Sequence, residues 1–438
     1  SLAAYISSTY NTGYVIGQNK LATLSDTEAV DNTEYVGGYG DFTDGNAWTK
    51  NTGWSTGSNV ATKTASTGAN YISRASSGTF VSGEWYQAEF DLLSGNGTHV
   101  QLVNRHTNGV VKPYTNATNV DVAFFAVGSK CYAIWKQNTN NTNIVSLYAS
   151  QAVSLDNFKI YKISADDRSY YNCPMLRAGT VTKTAVATGA DLLGYSGFSG
   201  SNGLLQPYKA ELEPGTGDYS VMIWLKTAAT TAEQTIFRRF GNPTVTGGLL
   251  LRIVGGSTSG IQWYTRDTSS NVGSITTTTA LDDSTWHHVV GTRQGATMSL
   301  YIDGKLYSSV ATSASSHNAG TTARMHIGVE ETTNLGAYSN PSDVTNLALA
   351  RYALAAPSAE QIVKIYNDEK HLFQENAKAT LYGTSDAVTA LAYDDSTELL
   401  HVGTSAGRSV FQGLRRVDNT TDAVGAAISA SNGLVAED

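Results

Sequence analysis

The most constraining feature of the chain is the stretch from Trp286 to Leu306, WHHVVGTRQGATMSLYIDGKL. Trp286, His288 and Val290 alternate with His287 and Val289, and after a glycine-containing turn Met298, Leu300 and Ile302 alternate with Ser299 and Tyr301. A period of two is that of a strand with one face buried. Asp303-Gly304 closes a second turn, because a two-residue hairpin loop needs positive φ and Asp-Gly supplies it at low steric cost. The spacing therefore predicts antiparallel strands joined by tight turns. The remainder of the chain agrees: it is rich in Gly, Thr, Ser, Asn and Tyr and poor in Pro and charge, a composition that favours many short strands over helices.

With 438 residues there is room for two or three domains. The formal charge of -8 and the lack of any basic run argue against a nucleic-acid groove. No run of 18 apolar residues occurs, so no spanning helix and no membrane insertion are expected. The two cysteines, Cys131 and Cys173, make no disulfide framework and have no metal-like spacing, and are expected to be buried thiols. Ser1 in place of Met suggests a processed or trimmed terminus.

In chain order, residues 1–34 mix tyrosines with turn residues and read as an arm or linker. From Tyr35 a Gly-Asp-Phe-x-x-Gly strand precedes Trp48 and Trp54, Glu84 to Leu93 alternates polar with apolar, and Leu155 to Lys162 makes a final strand. This order resembles a carbohydrate-binding-module type of jelly roll and implies a β-sandwich over 35–165. The Trp-His-x-Val strand with its Leu-Tyr-Ile-Asp-Gly hairpin, together with Asp218 to Lys226 (DYSVMIWLK) and Arg324 to Gly328 (RMHIG), resembles the laminin G-like, concanavalin A-like jelly rolls. That likeness runs from about Thr180 to Lys370 and implies a second sandwich over 166–376. It ends in one short helix, where Ser358 caps, Gln361 completes a capping box, and Ile362, Ile365 and Tyr366 form a stripe. Residues 377–438 read as a small propeller-blade-like β region, which has two bare faces and must pack on something else. The expected fold class is thus all-β: two tandem jelly-roll sandwiches, a helix after the second, and a C-terminal β region for packing or oligomerisation.

Catalytic chemistry is not visible. Glycosidases of the concanavalin A-like kind carry a Glu-x-Asp-x-x-Glu strand, whereas here Glu89-Phe90-Asp91 is followed by Ser94 in the third acidic place, which leaves a solvated strand face. His287 and His288 are adjacent on a strand and so point to opposite faces, unable to chelate one ion. No Gly-x-Ser-x-Gly elbow, phosphate loop or zinc pattern occurs. Aromatic side chains are the better lead, since the apolar faces of sugars stack on Trp and Tyr while polar neighbours take up the hydroxyls. In the first module the candidates are Trp85, Tyr132 and Trp135, with Asn104, Arg105 and His106 as polar partners. In the second they are Trp263, Tyr264 and Arg266. A tryptophan in a sandwich is nevertheless more often core than platform, and Trp224 and Trp286 are assigned to the core outright. The carbohydrate-binding resemblance also implies a calcium ion between the first strand and the last, which points to Asp41, Asp44 and Asp156, hard oxygen donors of the right kind.

Taken whole, the chain is similar to structural proteins of marine bacteriophages. That similarity implies a non-enzymatic virion protein, a tail fibre or host-attachment appendage. It would bind cell-surface glycan and neighbouring virion proteins as a homo-oligomer, a homotrimer being favoured, at an extracellular, virion location. The alternatives are a purely structural capsid or tail decoration protein, and a secreted bacterial adhesin or accessory module of a glycosidase.

Overall fold

The computed structural model describes residues 35–64, 70–81, 85–95, 100–103, 110–111, 122–127, 130–136, 145–149, 151–163, 175–206, 210–228, 230–240, 247–256, 259–318, 324–331, 338–378, 381, 387–413 and 415–437, together with the short strand Asn19–Ala22. The chain is nearly all-β, and the described residues contain a single α-helix.

The first sandwich faces a six-stranded sheet against a five-stranded one. The larger sheet is centred on the long strands Trp85–Gly95 and Val153–Ile163, which run antiparallel. Alternation sends Tyr86, Ala88 and Phe90 into a core with Trp48, Trp54, Ile72, Leu147 and Phe158. Gly40 is required at its position: a Cβ there would lie 1.6 Å from the carbonyl oxygen of Phe158, so the loop before Asp41 rests directly on the strand beneath it.

The second sandwich is larger. A seven-stranded sheet runs in the order Leu176–Ala178, Gly203–Gln206, Arg324–Ile327, Gln234–Phe240, Gly248–Ile253, Gly260–Arg266, Val272–Ala280. The opposing eight-stranded sheet holds Tyr219–Thr227, Trp286–Gln294, Thr297–Ile302, Lys305–Ala311 and Thr345–Ala353, and Asn19–Ala22 pairs with the last of these. The two hairpins of the Trp286 stretch form as the sequence predicts, with Asp303 and Gly304 at φ 51° and 77°. The alternation means something different from what was expected, however. Val289 enters the sandwich core, while His288 and Val290 are equally buried on the outer face of the sheet. The strand is covered on both sides.

The cover is helix α1, Ala359–Glu369. Ser358 and Gln361 make the reciprocal capping box, and Ile362 and Ile365 pack on Met222 and Val290. Trp224 is core, but of this outer layer: its ring stacks on Phe373 at 4.3 Å and on Tyr366 at 5.7 Å. Trp286 is half-buried rather than core, lying against Phe373 and donating to the carbonyl of Val186. Glu369 at the helix end accepts from the Trp224 indole at 2.7 Å and from Arg351 Nη2 at 2.6 Å, both within the buried layer.

The C-terminal region is a four-stranded antiparallel sheet, Val388–Asp394, Leu399–Thr404, Gly407–Gln412 and Arg415–Thr420, followed by the hairpin of Ile428–Ser431 and Leu434–Glu437. Its two faces are not both bare. The tail lies on one of them: a Cβ at Gly403 would meet Val424 and Ile428, Arg408 pairs with Glu437 at 2.6 Å, and Asp394 accepts from the amides of Asn432 and Gly433. On the other face Leu381, Leu400, Val402 and Phe411 cluster, while Leu391 and Tyr393 on the edge strand remain exposed.

Candidate functional site

The seven-stranded sheet of the second sandwich carries the candidate site on its outer face. Strand alternation there separates two sets of side chains. Leu249, Leu251, Ile261, Trp263 and Ile275 face the core, and Arg238, Phe240, Arg252, Gln262, Tyr264 and Arg266 face outward. Phe240 and Tyr264 lie side by side, with ring centroids 6.2 Å apart and planes inclined by 35°. They can adjoin because the strand between them carries glycine opposite Phe240: a Cβ at Gly248 would fall 2.5 Å from the Phe240 ring, so the ring lies over bare backbone. The result is a partly exposed aromatic platform.

Polar groups surround it. The Arg238 guanidinium sits 5.1 Å from the Phe240 ring centroid and 3.2 Å from Glu330; burial pulls its pKa down, and Glu330 and Glu331 oppose that shift. Arg252 pairs with Glu233 at 2.6 Å and donates to Gln262, whose amide donates in turn to Ser274 and Thr276. Asn340 bridges Glu233 and Glu330 at 2.9 and 3.0 Å. Flat apolar surface rimmed by carboxamides, hydroxyls and fixed guanidinium groups is chemically suited to a sugar ring. Among the described residues it holds no arrangement of base and nucleophile.

The predicted residues fall out as follows. Tyr264 and Arg266 share the outer face. Trp263 is corrected: its side chain is fully buried, its indole donates to the carbonyl of Thr292 at 3.1 Å, and neighbouring strand residues cannot share a face. Tyr132 is corrected too, for it packs with Met175, Leu176 and Tyr338 of the second sandwich, and burial pushes its phenol pKa up. Arg105, Asn104 and His106 lie outside the described residues. Trp85 stands opposite Lys136 and Trp135 opposite Tyr86 in the strand register, and both side chains are outside the described set. Phe240 is the residue that sequence reasoning missed. Its signal was the alternation of Arg238 and Phe240 on a polar face, across from a glycine.

The Glu89 expectation is also corrected, since that side chain is buried where the sandwiches meet rather than solvated. Here Gln87 makes two hydrogen bonds to the backbone of Arg177, at 2.7 and 3.0 Å, much as a neighbouring strand would. Beside this clasp lies a cleft of about 730 Å³, lined among others by Asp41, Glu89, Asn157, Lys159, Tyr161 and Arg177.

The three aspartates implied for calcium each make a local hydrogen bond through one carboxylate oxygen. Asp41 accepts from Thr43, Asp44 caps the turn at Asn46, and Asp156 accepts from the amide of Asn157. Among the described residues no three His, Cys, Asp or Glu side chains gather into a metal-holding group. His287 takes part in a compact acid–imidazole cluster, with Asp303 at 2.8 Å and Asp283 at 3.2 Å, and the Asp303 hydrogen bond raises its pKa. His288, on the opposite face, is fully buried and held down to about 3 by desolvation. Burial pushes the Cys131 thiol up to about 12, so it is inert; Cys173 lies outside the described residues.

The fold is that of an all-β chain with a jelly-roll domain. Residues 198–357 match the family described as the Concanavalin A-like lectin/glucanases superfamily. No curated protein matches the chain. Among solved structures it is similar to the binding domain of Paraclostridial Mosquitocidal Protein 1, at 12% identity and TM-score 0.39, over 56% of this chain and 61% of that one. The botulinum neurotoxin serotype D binding domain gives 17% and 0.37, over 57% and 60%. Domain 4 of AbnA, an extracellular arabinanase from Geobacillus stearothermophilus, in complex with arabinotriose, gives 16% and 0.33, over 44% and 88%. The chain thus spans about three fifths of the first two structures.

Proposed function

We propose that the chain is a non-enzymatic glycan-binding protein whose second sandwich holds sugar on the Phe240–Tyr264 platform. The observation that carries this reading is the adjoining ring pair on a largely polar sheet face, which Gly248 allows to approach. Stacking supplies affinity and the surrounding guanidinium and carboxamide groups supply orientation, the division of labour found in small-ligand sites. In its finer form the proposal is a host-attachment appendage of a bacteriophage virion, a tail fibre or a near relative. That part rests on the resemblance of the sequence to phage structural proteins noted above and on the tandem sandwiches. Weak sites of this kind gain strength through multiplicity, and the exposed Leu391 and Tyr393 on the edge strand Val388–Asp394 suit the subunit contact of a homo-oligomer, a homotrimer in this reading. A glycan array probed with the full chain and with Tyr264→Ala tests the proposal. Specific signals that the variant loses support it; an array without signals, or signals indifferent to Tyr264, would move the chain to a purely structural role.

A further inference from the structure

We infer that the ligand of this platform is an acidic sugar, one whose ring carries a carboxylate that Arg266 receives. The inference rests on the glycan-binding reading above and names the class of glycan.

Arg238 is neutralised by Glu330 and Arg252 by Glu233. Arg266 has no such partner among the described residues: Nη2 donates to the hydroxyl of Ser270 at 3.0 Å, and its buried Nε donates to nothing. The nearest acid in sequence, Asp267, is not available. It lies on the other face of the strand, buried, and its carboxylate is spent on the amides of Ser269, Asn271 and Ser315 and on the side chain of Asn271, at 2.8 to 3.1 Å. Those hydrogen bonds lower its pKa against the opposing effect of desolvation, so the charge is fixed where it is. Nor do the sequences of segments 241–246, 257–258, 319–323 and 332–337 in this sandwich hold an acid, since none contains Asp or Glu. Among the described residues, Arg266 is the one guanidinium on this face without a carboxylate beside it.

Its position relates it to the rings. Phe240, Gly248 and Arg266 stand in one line across three strands. The Phe240 ring overlies Gly248, and Tyr264 is two residues from Arg266 on the same face. A sugar stacked on the ring pair therefore has the guanidinium at its edge, where an exocyclic or ring-borne carboxylate would project. A single planar fork matches one planar carboxylate, two parallel N–H donors to two oxygens. A phosphate monoester carries nearly twice the charge and would leave most of it uncompensated by one arginine.

The test compares three versions of one oligosaccharide with the full chain: a hexuronic-acid oligomer, the same oligomer after carboxyl reduction, and a sulfated counterpart of the reduced form. The wild-type chain should bind the carboxylated oligomer at least about tenfold more tightly than the reduced one, which is about 1.4 kcal/mol. Arg266→Gln should bring the two within about twofold while the melting temperature is unchanged, and Arg266→Lys should retain part of the preference, because it keeps the charge and loses the fork. Tyr264→Ala should weaken both. Equal binding of carboxylated and reduced oligomers, preference for the sulfated form, or a preference that survives Arg266→Gln would overturn the inference and leave the glycan-binding reading standing. Binding of none of the three would count against both.

Discussion

Glu369 is where the structure makes its sharpest energetic statement. Its carboxylate is 2% exposed, its partner Arg351 3%, and it accepts from both Arg351 and the Trp224 indole. Glu369→Ala would leave a guanidinium and an indole N–H buried without an acceptor. Breaking one side of a buried ion pair costs about 3–5 kcal/mol, mostly through the partner left unpaired. For a domain of this size that corresponds to a fall of roughly 6–20 °C in melting temperature, at about 2–4 °C per kcal/mol. Replacing both partners by apolar residues of similar volume, Arg351→Met with Glu369→Leu, removes the orphaned guanidinium but still leaves the Trp224 indole N–H without its acceptor, and should recover part of the loss, ending about 1–3 kcal/mol below wild type. Urea denaturation of the full chain, followed by tryptophan fluorescence, reads both differences through the midpoint at constant m-value. A single-variant loss below about 1 kcal/mol, or a double variant no better than the single, would refute the reasoning and imply that α1 is held by Ile362 and Ile365 alone.

Three further outcomes are expected. Gly291→Ala places a Cβ 2.4 Å from the rigid indole of Trp263 and should destabilise the second sandwich by about 1–3 kcal/mol, with a shift in tryptophan emission; an unchanged spectrum and midpoint would contradict the assigned packing. Acid should weaken the fold between about pH 6.5 and 4, because buried His288 and His317, held down to about 3 and about 4, stay neutral while their unfolded counterparts take up protons. His287 acts with the opposite sign: its pKa is raised, so its contribution is full below the unfolded value and fades as pH rises through the folded one. Denaturation midpoints for His287→Ala and His288→Phe at pH 5 and 8 should therefore move in opposite directions relative to wild type; parallel changes would sink the assignment. Calcium at millimolar concentration, or its removal by a chelator, should leave the melting temperature within about 1 °C, since among the described residues no three His, Cys, Asp or Glu side chains gather into one group.

The features legible in the sequence were those that depend on neighbours along the chain. The Asp303-Gly304 turn, the Ser358 capping box and the strands about Trp286 are written in local spacing, and each forms. What could not be read was which face of a strand meets what. Trp263 and Tyr264 are adjacent and both aromatic, and only the register of Gly260–Arg266 against Gly248–Ile253 decides that one enters the core and the other does not. Tyr132 and Glu89 looked like solvated strand residues, because no local pattern announces that a second sandwich will press against that face. His288 and Trp224 read as ordinary alternation since their cover, α1, arrives about 70 to 145 residues later in the chain. Phe240 gains its neighbour from the strand two places across the sheet, a relation set by the pairing of three strands and not by any one segment.

The central claim is that Tyr264 and Phe240 form a sugar platform while Trp263 holds the core. The most direct measurement is a glycan-binding titration of wild type, Tyr264→Ala and Phe240→Ala, each with its melting curve. Loss of binding in both variants by tenfold or more, about 1.4 kcal/mol, at a melting temperature within a few degrees of wild type, is the predicted result. Undiminished binding in both variants would place the sugar elsewhere, with the cleft beside Gln87 and Arg177 the next place to look.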